Sequence, residues 1–315
     1  MTLSTTARRL AAALAVPLFV ASAAACGSGA EDGKPGAAPA VTGEDGKMPQ
    51  IADGVGSPPD HLQTKVLEKG KGRTVQKNDF LIADYAGQTW EGKAFDNSYK
   101  RKKPTGFMIG NGSVVEGWDK GLVGKKVGSK VELVIPPDMA YGDQPPQGSG
   151  IKKGDTLVFV IEIKDSVPTL PKGKKTPQTD ASLPKIGTNT DHKSPSITVP
   201  KGQDAPDELV SRTVIQGDGK TVGKNDTVLA EYRAVPWEKP DQSVVDTWTG
   251  NPQAGAPPKP QESPLKAVLG WEKGLVGKKV GSRVMLAIPK SEFPEAAQKK
   301  AFDVVMVVDI LRAHH

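Results

Sequence analysis

Residues 114–137 read VVEGWDKGLVGKKVGSKVELVIPP, and residues 267–290 read AVLGWEKGLVGKKVGSRVMLAIPK. Two further pairs repeat in the same order. GKGRTVQKNDFLIADY (70–85) matches GDGKTVGKNDTVLAEY (217–232), and VFVIEIKD (158–165) matches VMVVDILR (305–312). Two long copies predict two similar domains and not a solenoid, whose short units need at least three repeats to be stable. A chain of 315 residues has room for both. The segments outside the copies differ in composition. Residues 26–60 are rich in Gly, Ala, Pro and Asp and have no hydrophobic period, so a flexible tether is expected there. Residues 166–206 carry seven prolines and almost no large apolar side chain, which reads as a partly extended linker. The expected division is therefore 1–25, 26–60, 61–165, 166–206 and 207–315.

Within a copy the apolar residues mostly alternate. Phe80, Ile82 and Asp84 share one side of a strand and Leu81, Ala83 and Tyr85 the other. Val131, Leu133 and Ile135 alternate with Lys130, Glu132 and Val134, and Leu157, Phe159, Ile161 and Ile163 make another period-two face. Such runs are antiparallel strands with one side buried. Val115, Trp118 and Leu122 break the rule, spaced three and four apart, and form the apolar stripe of a short helix. Gly124 and Gly128 end it before the next strand. A short helix on a curved antiparallel sheet is an α+β architecture.

The N-terminus has the pattern of a secretory signal. Arg8 and Arg9 precede the apolar run Leu10–Val20, which ends in ASAAAC, and the run is too short to span a bilayer. Cys26, the single cysteine, has no partner for an internal disulfide. Its setting resembles the lipobox of a bacterial lipoprotein, which implies cleavage after residue 25, lipidation of Cys26 and attachment to the outer face of the cell membrane. The formal charge of +6 is too mild for a nucleic-acid partner, and no basic–aromatic interleaving supports one.

In the first copy DYAG, FDNS, GFMIG, VVEGWDKGL, IPPDMAYG and DTLVFVIEI follow one another in that order. Together they resemble an FKBP-type peptidyl-prolyl cis-trans isomerase over about 100 residues. The resemblance implies a half-barrel sheet around the short helix in each of two FKBP-like domains. It implies an apolar pocket made by Tyr85, Phe95, Asp96, Phe107, Val114, Val115, Trp118, Tyr141, Ile151 and Phe159. Trp118 would be the floor and Tyr141 would donate to the substrate carbonyl. Asp96 would lie beside the rotating amide, and the Val115 N–H would hold the bound peptide. The residue types suit the reaction, because X–Pro rotation breaks no bond and its barrier of about 18–20 kcal/mol is amide resonance. No metal or cofactor is implied. The implied partners are proline-containing unfolded or exported polypeptides and, as inhibitors, macrolides. The competing reading is a non-catalytic chaperone or scaffold that grips apolar segments with both domains.

In the second copy Tyr232, Asp246 and Trp271 align with Tyr85, Asp96 and Trp118. Val245 stands for Phe95, Pro294 for Tyr141 and Met306 for Phe159, and residues 249–264 replace the strand that bears Phe107. A degenerate domain is expected. His61, His192, His314 and His315 have no metal-ligand spacing, and GLVGKKVGS lacks the Gly-x4-Gly-Lys-Ser/Thr spacing of a phosphate loop.

Overall fold

The computed structural model describes residues 36–44, 46–251 and 255–315. The signal segment and Cys26 lie outside the described residues. Two short strands, β1 (Val41–Thr42) and β2 (Gln50–Ile51), pair ahead of the first copy. The alternating runs then become β3 (Gln63–Glu68), β4 (Phe80–Thr89), β5 (Ala94–Asn97), β6 (Thr105–Met108), β7 (Lys130–Ile135) and β8 (Leu157–Val167). The sheet is antiparallel in the order β3–β7–β8–β4, with β5 on one half of β4 and β6 on the other. Leu81, Ala83 and Tyr85 face inward with Val131, Leu133, Ile135 and the residues Leu157, Phe159, Ile161 and Ile163. They close on helix α1 (Glu116–Leu122) through Trp118 and Leu122. Gly117 and Gly121 let the helix settle on the sheet, since a Cβ on either would lie 2.4 Å from Ile135 or 2.5 Å from Leu133.

The second copy repeats this plan with β12 (Val210–Gly217), β13 (Thr227–Pro236), β14 (Val245–Asp246), β15 (Gln261–Pro264), helix α2 (Trp271–Leu275), β16 (Arg283–Ile288), helix α3 (Glu295–Gln298) and β17 (Val304–His314). Its order is β14–β13–β17–β16–β12, with β15 on the other half of β13. Both halves are thus α+β, as the sequence periods imply. Phe80, Met108 and Val167 of the first sheet meet Leu229 and Leu311 of the second in one apolar cluster, which explains why the outward side of β4 carries Phe80 and Ile82.

The two connecting regions depart from the expected tether and linker. Residues 36–44 and 46–58 lie against the outside of the first sheet. Ala38 and Ile51 pack with Trp90, Val134 and Val158. The Trp90 indole donates to the Gly56 carbonyl at 3.1 Å, and Gly54 N–H donates to the Trp90 carbonyl at 2.7 Å. Residues 166–206 fold onto the second sheet. β9 (Gly173–Lys175) adds an edge strand beside β12, and β10 (Lys185–Ile186) pairs with β11 (Ile197–Thr198). Leu183 and Ile186 are buried among Trp237, Trp248, Met285, Val305 and Val307. Arg283 binds Asp309 through two contacts of 2.7 Å and donates to the carbonyls of Gly187 and Asn189 at 2.8 and 2.9 Å. Both corrections have one cause. Each sheet has an apolar outer surface, and a few spaced apolar residues with glycines and prolines suffice to cover it.

Candidate active site

The concave face of the first sheet and the start of α1 enclose a cavity of about 460 Å³. All ten residues implied for the pocket line it: Tyr85, Phe95, Asp96, Phe107, Val114, Val115, Trp118, Tyr141, Ile151 and Phe159. Pairing brings them together. Phe159 on β8 lies opposite Gly87 on β4, whose other neighbour is Asp96 on β5. Phe107 on β6 lies opposite Leu81. Trp118 is the hub of the aromatic group, with ring centroids 5.5 Å from Tyr85, 5.0 Å from Phe107 and 5.3 Å from Phe159, all edge to face. This geometry favours aromatic pairs by about 0.5–1.5 kcal/mol beyond burial and fixes each ring plane. The Trp118 indole N–H is buried with no acceptor among the described residues.

The loop before α1 is held by Asp119, whose carboxylate accepts from Gly110 N–H at 2.6 Å and Gly112 N–H at 2.7 Å. That clamp presents Val114 and Val115, the latter at the helix N-cap. Ser98, fully buried, accepts from Tyr85 N–H at 3.0 Å and donates to Asp84 at 2.7 Å, and so locks the end of β5 beside Asp96. On the far rim Lys93 donates to the Gly150 carbonyl at 2.8 Å and pins the loop that carries Ile151.

One polar cluster breaks the apolar wall. The Tyr85 hydroxyl donates to Asp96 in a short hydrogen bond. Arg101 donates to the other Asp96 oxygen at 2.9 Å and to the Tyr85 hydroxyl at 2.6 Å, and its guanidinium lies 5.5 Å from the Tyr85 ring centre. Burial and the bond to Asp96 push Tyr85 up to about 12. Burial also raises Asp96, but the Tyr85 and Arg101 donors outweigh it and hold the carboxyl below its ordinary value of 3.8. Tyr141 is raised by burial and by the Asp96 charge. The site therefore holds one fixed carboxylate and two neutral phenols across the neutral range.

Arg101 belongs to this cluster and the sequence reading missed it. It sits in the Lys100–Lys103 run, which reads as a solvated loop. The usable signal was its spacing of five from Asp96, bridged by a 3₁₀ turn over Tyr99–Arg101. Ser113, Pro146 and Ser149 also line the cavity.

The second copy needs two corrections. Tyr232 N–H donates to Thr247 as Tyr85 N–H does to Ser98, and β13 pairs Arg233 with Asp246 and Ala234 with Val245. Asp246 therefore occupies the position of Asn97, and Val245 that of Asp96. The hairpin is longer in this copy, so matching Asp to Asp slips the register by one. Second, residues 249–264 do not remove the strand. β15 pairs Val228 with Ser263, so the strand persists with Ser263 where Phe107 stands. Met306 does occupy the place of Phe159, opposite Leu286 as Phe159 is opposite Leu133. Trp271 is fully buried and donates to the Met306 sulfur at 3.3 Å, and Tyr232 donates to Gln261 at 2.7 Å. Valine and serine replace carboxylate and aromatic ring, and the tryptophan is closed over by methionine.

Residues 71–164 match the FKBP-type peptidyl-prolyl cis-trans isomerase family. An "FK506-binding protein" of Streptomyces anulatus is 38% identical over 118 residues, which cover 37% of this chain and 95% of that protein. Mouse "Peptidyl-prolyl cis-trans isomerase FKBP2" is 37% identical over 126 residues, 39% of this chain and 81% of that protein. "FKBP-type peptidyl-prolyl cis-trans isomerase FkpA" of Escherichia coli K12 is 41% identical over 120 residues, 38% of this chain and 43% of that protein. The chain thus spans less than half the length of FkpA.

Proposed function

The chain belongs to the FKBP-type peptidyl-prolyl cis-trans isomerase family, and on that footing we propose that its first domain interconverts cis and trans X–Pro bonds in polypeptides. The observation that carries this reading is the composition of the cavity: aromatic walls, a tryptophan floor, and a single carboxylate held ionised by Arg101 and Tyr85. A prolyl ring seated on Trp118 brings its amide into a space with little water. Rotation there weakens the resonance that makes the planar forms stable, and a pocket that binds the twisted amide better than either planar form lowers the barrier. In this reading Tyr141 donates to the carbonyl as it turns, and the Val115 N–H holds the peptide backbone. Asp96 orients Tyr85 and supplies a fixed negative field at the pocket wall. The same cavity is proposed to take macrolides of the FK506 type, which would compete with the peptide.

The second domain is proposed to be non-catalytic, because Met306 closes over the Trp271 indole and because Val245 and Ser263 stand where Asp96 and Phe107 line the first cavity. We propose also that the protein works on exported polypeptides outside the cell membrane, tethered through a lipidated Cys26. The sequence supports this through Arg8, Arg9 and the apolar run before the cysteine. The deciding measurement is isomerisation of a short Ala–Pro peptide by the full chain. Acceleration that falls steeply with Asp96→Asn plus Tyr141→Phe, at unchanged circular dichroism, supports the assignment. An unchanged rate in that variant removes catalysis from the first domain. Mass spectrometry of membrane-bound protein tests the lipid on Cys26, and a Cys26→Ala variant that stays membrane-bound removes the anchor.

A further inference from the structure

A groove of about 770 Å³ runs between the two sheets. Its floor is apolar, with Phe80, Ile82, Pro104 and Pro260, and its rim is basic, with Arg101, Lys103, Lys259 and Arg312 against one carboxylate, Glu262. The groove meets the cavity at Arg101, which lines the groove and whose guanidinium nitrogens bind Asp96 and Tyr85 of the cavity wall. Thr105 joins the groove on the strand that carries Phe107 into the cavity, and accepts from Arg101 at 3.4 Å.

The charges are unequally committed. Arg101 is engaged by Asp96, and Arg312 by Asp165 at 2.7 Å and Glu262 at 2.8 Å. Glu262 also accepts from His314 at 3.0 Å. Lys103 lies 3.9 Å from Glu262 with its side chain 78% exposed. Lys259 is exposed and is tied to the fold by its backbone, which donates to the Thr247 carbonyl at 3.1 Å. Lys103, in the loop before β6, and Lys259, in the loop before β15, therefore line the groove with most of their charge uncompensated.

We propose that this groove extends the substrate site and takes acidic side chains near the proline of a bound polypeptide. The inference rests on the isomerase reading of the adjoining cavity. Extended chain advances about 3.3 Å per residue, so a peptide with its proline over Trp118 reaches past Arg101 within two or three residues. There its backbone crosses the Phe80–Pro260 floor and its carboxylates meet Lys103 and Lys259. The second domain thereby shapes specificity without an active site of its own.

The test uses the full chain and three peptides that differ only in the residues within three of Ala–Pro: Glu on either side, Lys on either side, or uncharged. The expected kcat/KM order is acidic, then neutral, then basic. With Lys103→Glu plus Lys259→Glu the acidic peptide loses roughly tenfold at low salt. The neutral peptide keeps its rate. The uncharged pair Lys103→Gln plus Lys259→Gln should fall between, which separates charge at the groove from repulsion of Glu262. The acidic preference should shrink as salt rises, since the Debye length is about 10 Å at 0.1 M. Equal rates for acidic and neutral peptides, or a preference that survives the double reversal, overturn the proposal. If no peptide is isomerised, the isomerase reading falls. Calorimetric affinities of the same peptides for native and reversed protein then decide the groove alone: a common affinity sinks it, and a selective loss for the acidic peptide supports it.

Discussion

Gly87 and Ala234 hold the same position on the central strands of the two copies, and their difference follows the pocket. Gly87 lies opposite Phe159, and a Cβ there would come within 2.7 Å of that ring and 2.8 Å of Phe95. Ala234 lies opposite Met306, a flexible side chain that yields to a methyl group. Gly87→Ala should therefore crowd the aromatic wall, lower the isomerisation rate, and cost about 1–3 kcal/mol in denaturant unfolding. Adding Phe159→Met, the pair found in the second copy, should recover the stability and not the rate. Recovery of both would deny the aromatic wall a role. The electrostatics of the polar cluster point the same way as the packing. Asp96 is held below 3.8, so the stability it contributes is present above that value and is lost only as pH falls through the depressed one. Tyr85 stays protonated up to about 12. kcat/KM should thus be flat between about pH 5 and about pH 9, and a bell centred in that range would implicate another group.

At the level of elements, the outer surfaces of the sheets decide what the connecting segments do. Trp90 is 3% exposed because the segment with Ala38, Ile51, Gly54 and Gly56 covers it. Trp90→Ala should release that segment and cost about 3–5 kcal/mol, read as protease cleavage within residues 36–58 and a lower melting temperature. If the segment stays protected, the strap is held elsewhere. On the second sheet Arg283 is 1% exposed and anchors the linker loop through Gly187 and Asn189. Glu231 is buried in the same region. Burial, reinforced by the Asp309 charge and opposed by Arg283, raises it from 4.5 to about 8. A folded value above the unfolded one favours folding fully below 4.5, and that advantage is lost as pH rises toward 8. The second domain should therefore weaken between those values in urea, and Glu231→Gln should flatten the decline. A decline that persists in the glutamine variant would assign it to another group.

Across the whole molecule, the cluster of Phe80, Met108, Val167, Leu229 and Leu311 and the Arg312–Asp165 pair make the two copies one body in this structure. Leu311→Asp places an unpaired carboxylate among those side chains, at a cost of several kcal/mol. It should split a joint thermal transition into two and reduce any preference for acidic peptides, while the neutral peptide keeps its rate. A single unchanged transition would mean that the contact couples little. On the proposal that the second copy is non-catalytic, the junction still gives it a place beside the site, since its β15 forms one wall of the basic groove.

The local pattern was legible in the residues alone. Period-two runs such as Leu157–Ile163 and the three-four spacing of Val115, Trp118 and Leu122 specify strands and helix, because side-chain direction follows backbone repeat. The order of motifs specified the ten pocket residues, because each lies at a fixed place on those elements. The rest depended on contacts between elements distant along the chain. Arg101 joins the site because a turn carries it back over Tyr85, and a basic run looks the same whether it is solvated or folded in. The register of β14 depends on a longer hairpin, which an Asp-to-Asp match cannot see. Leu183 and Ile186 became buried, and Ile51 half-buried, because apolar sheet surfaces were waiting for them, and that need belongs to the folded sheet and not to the segments themselves.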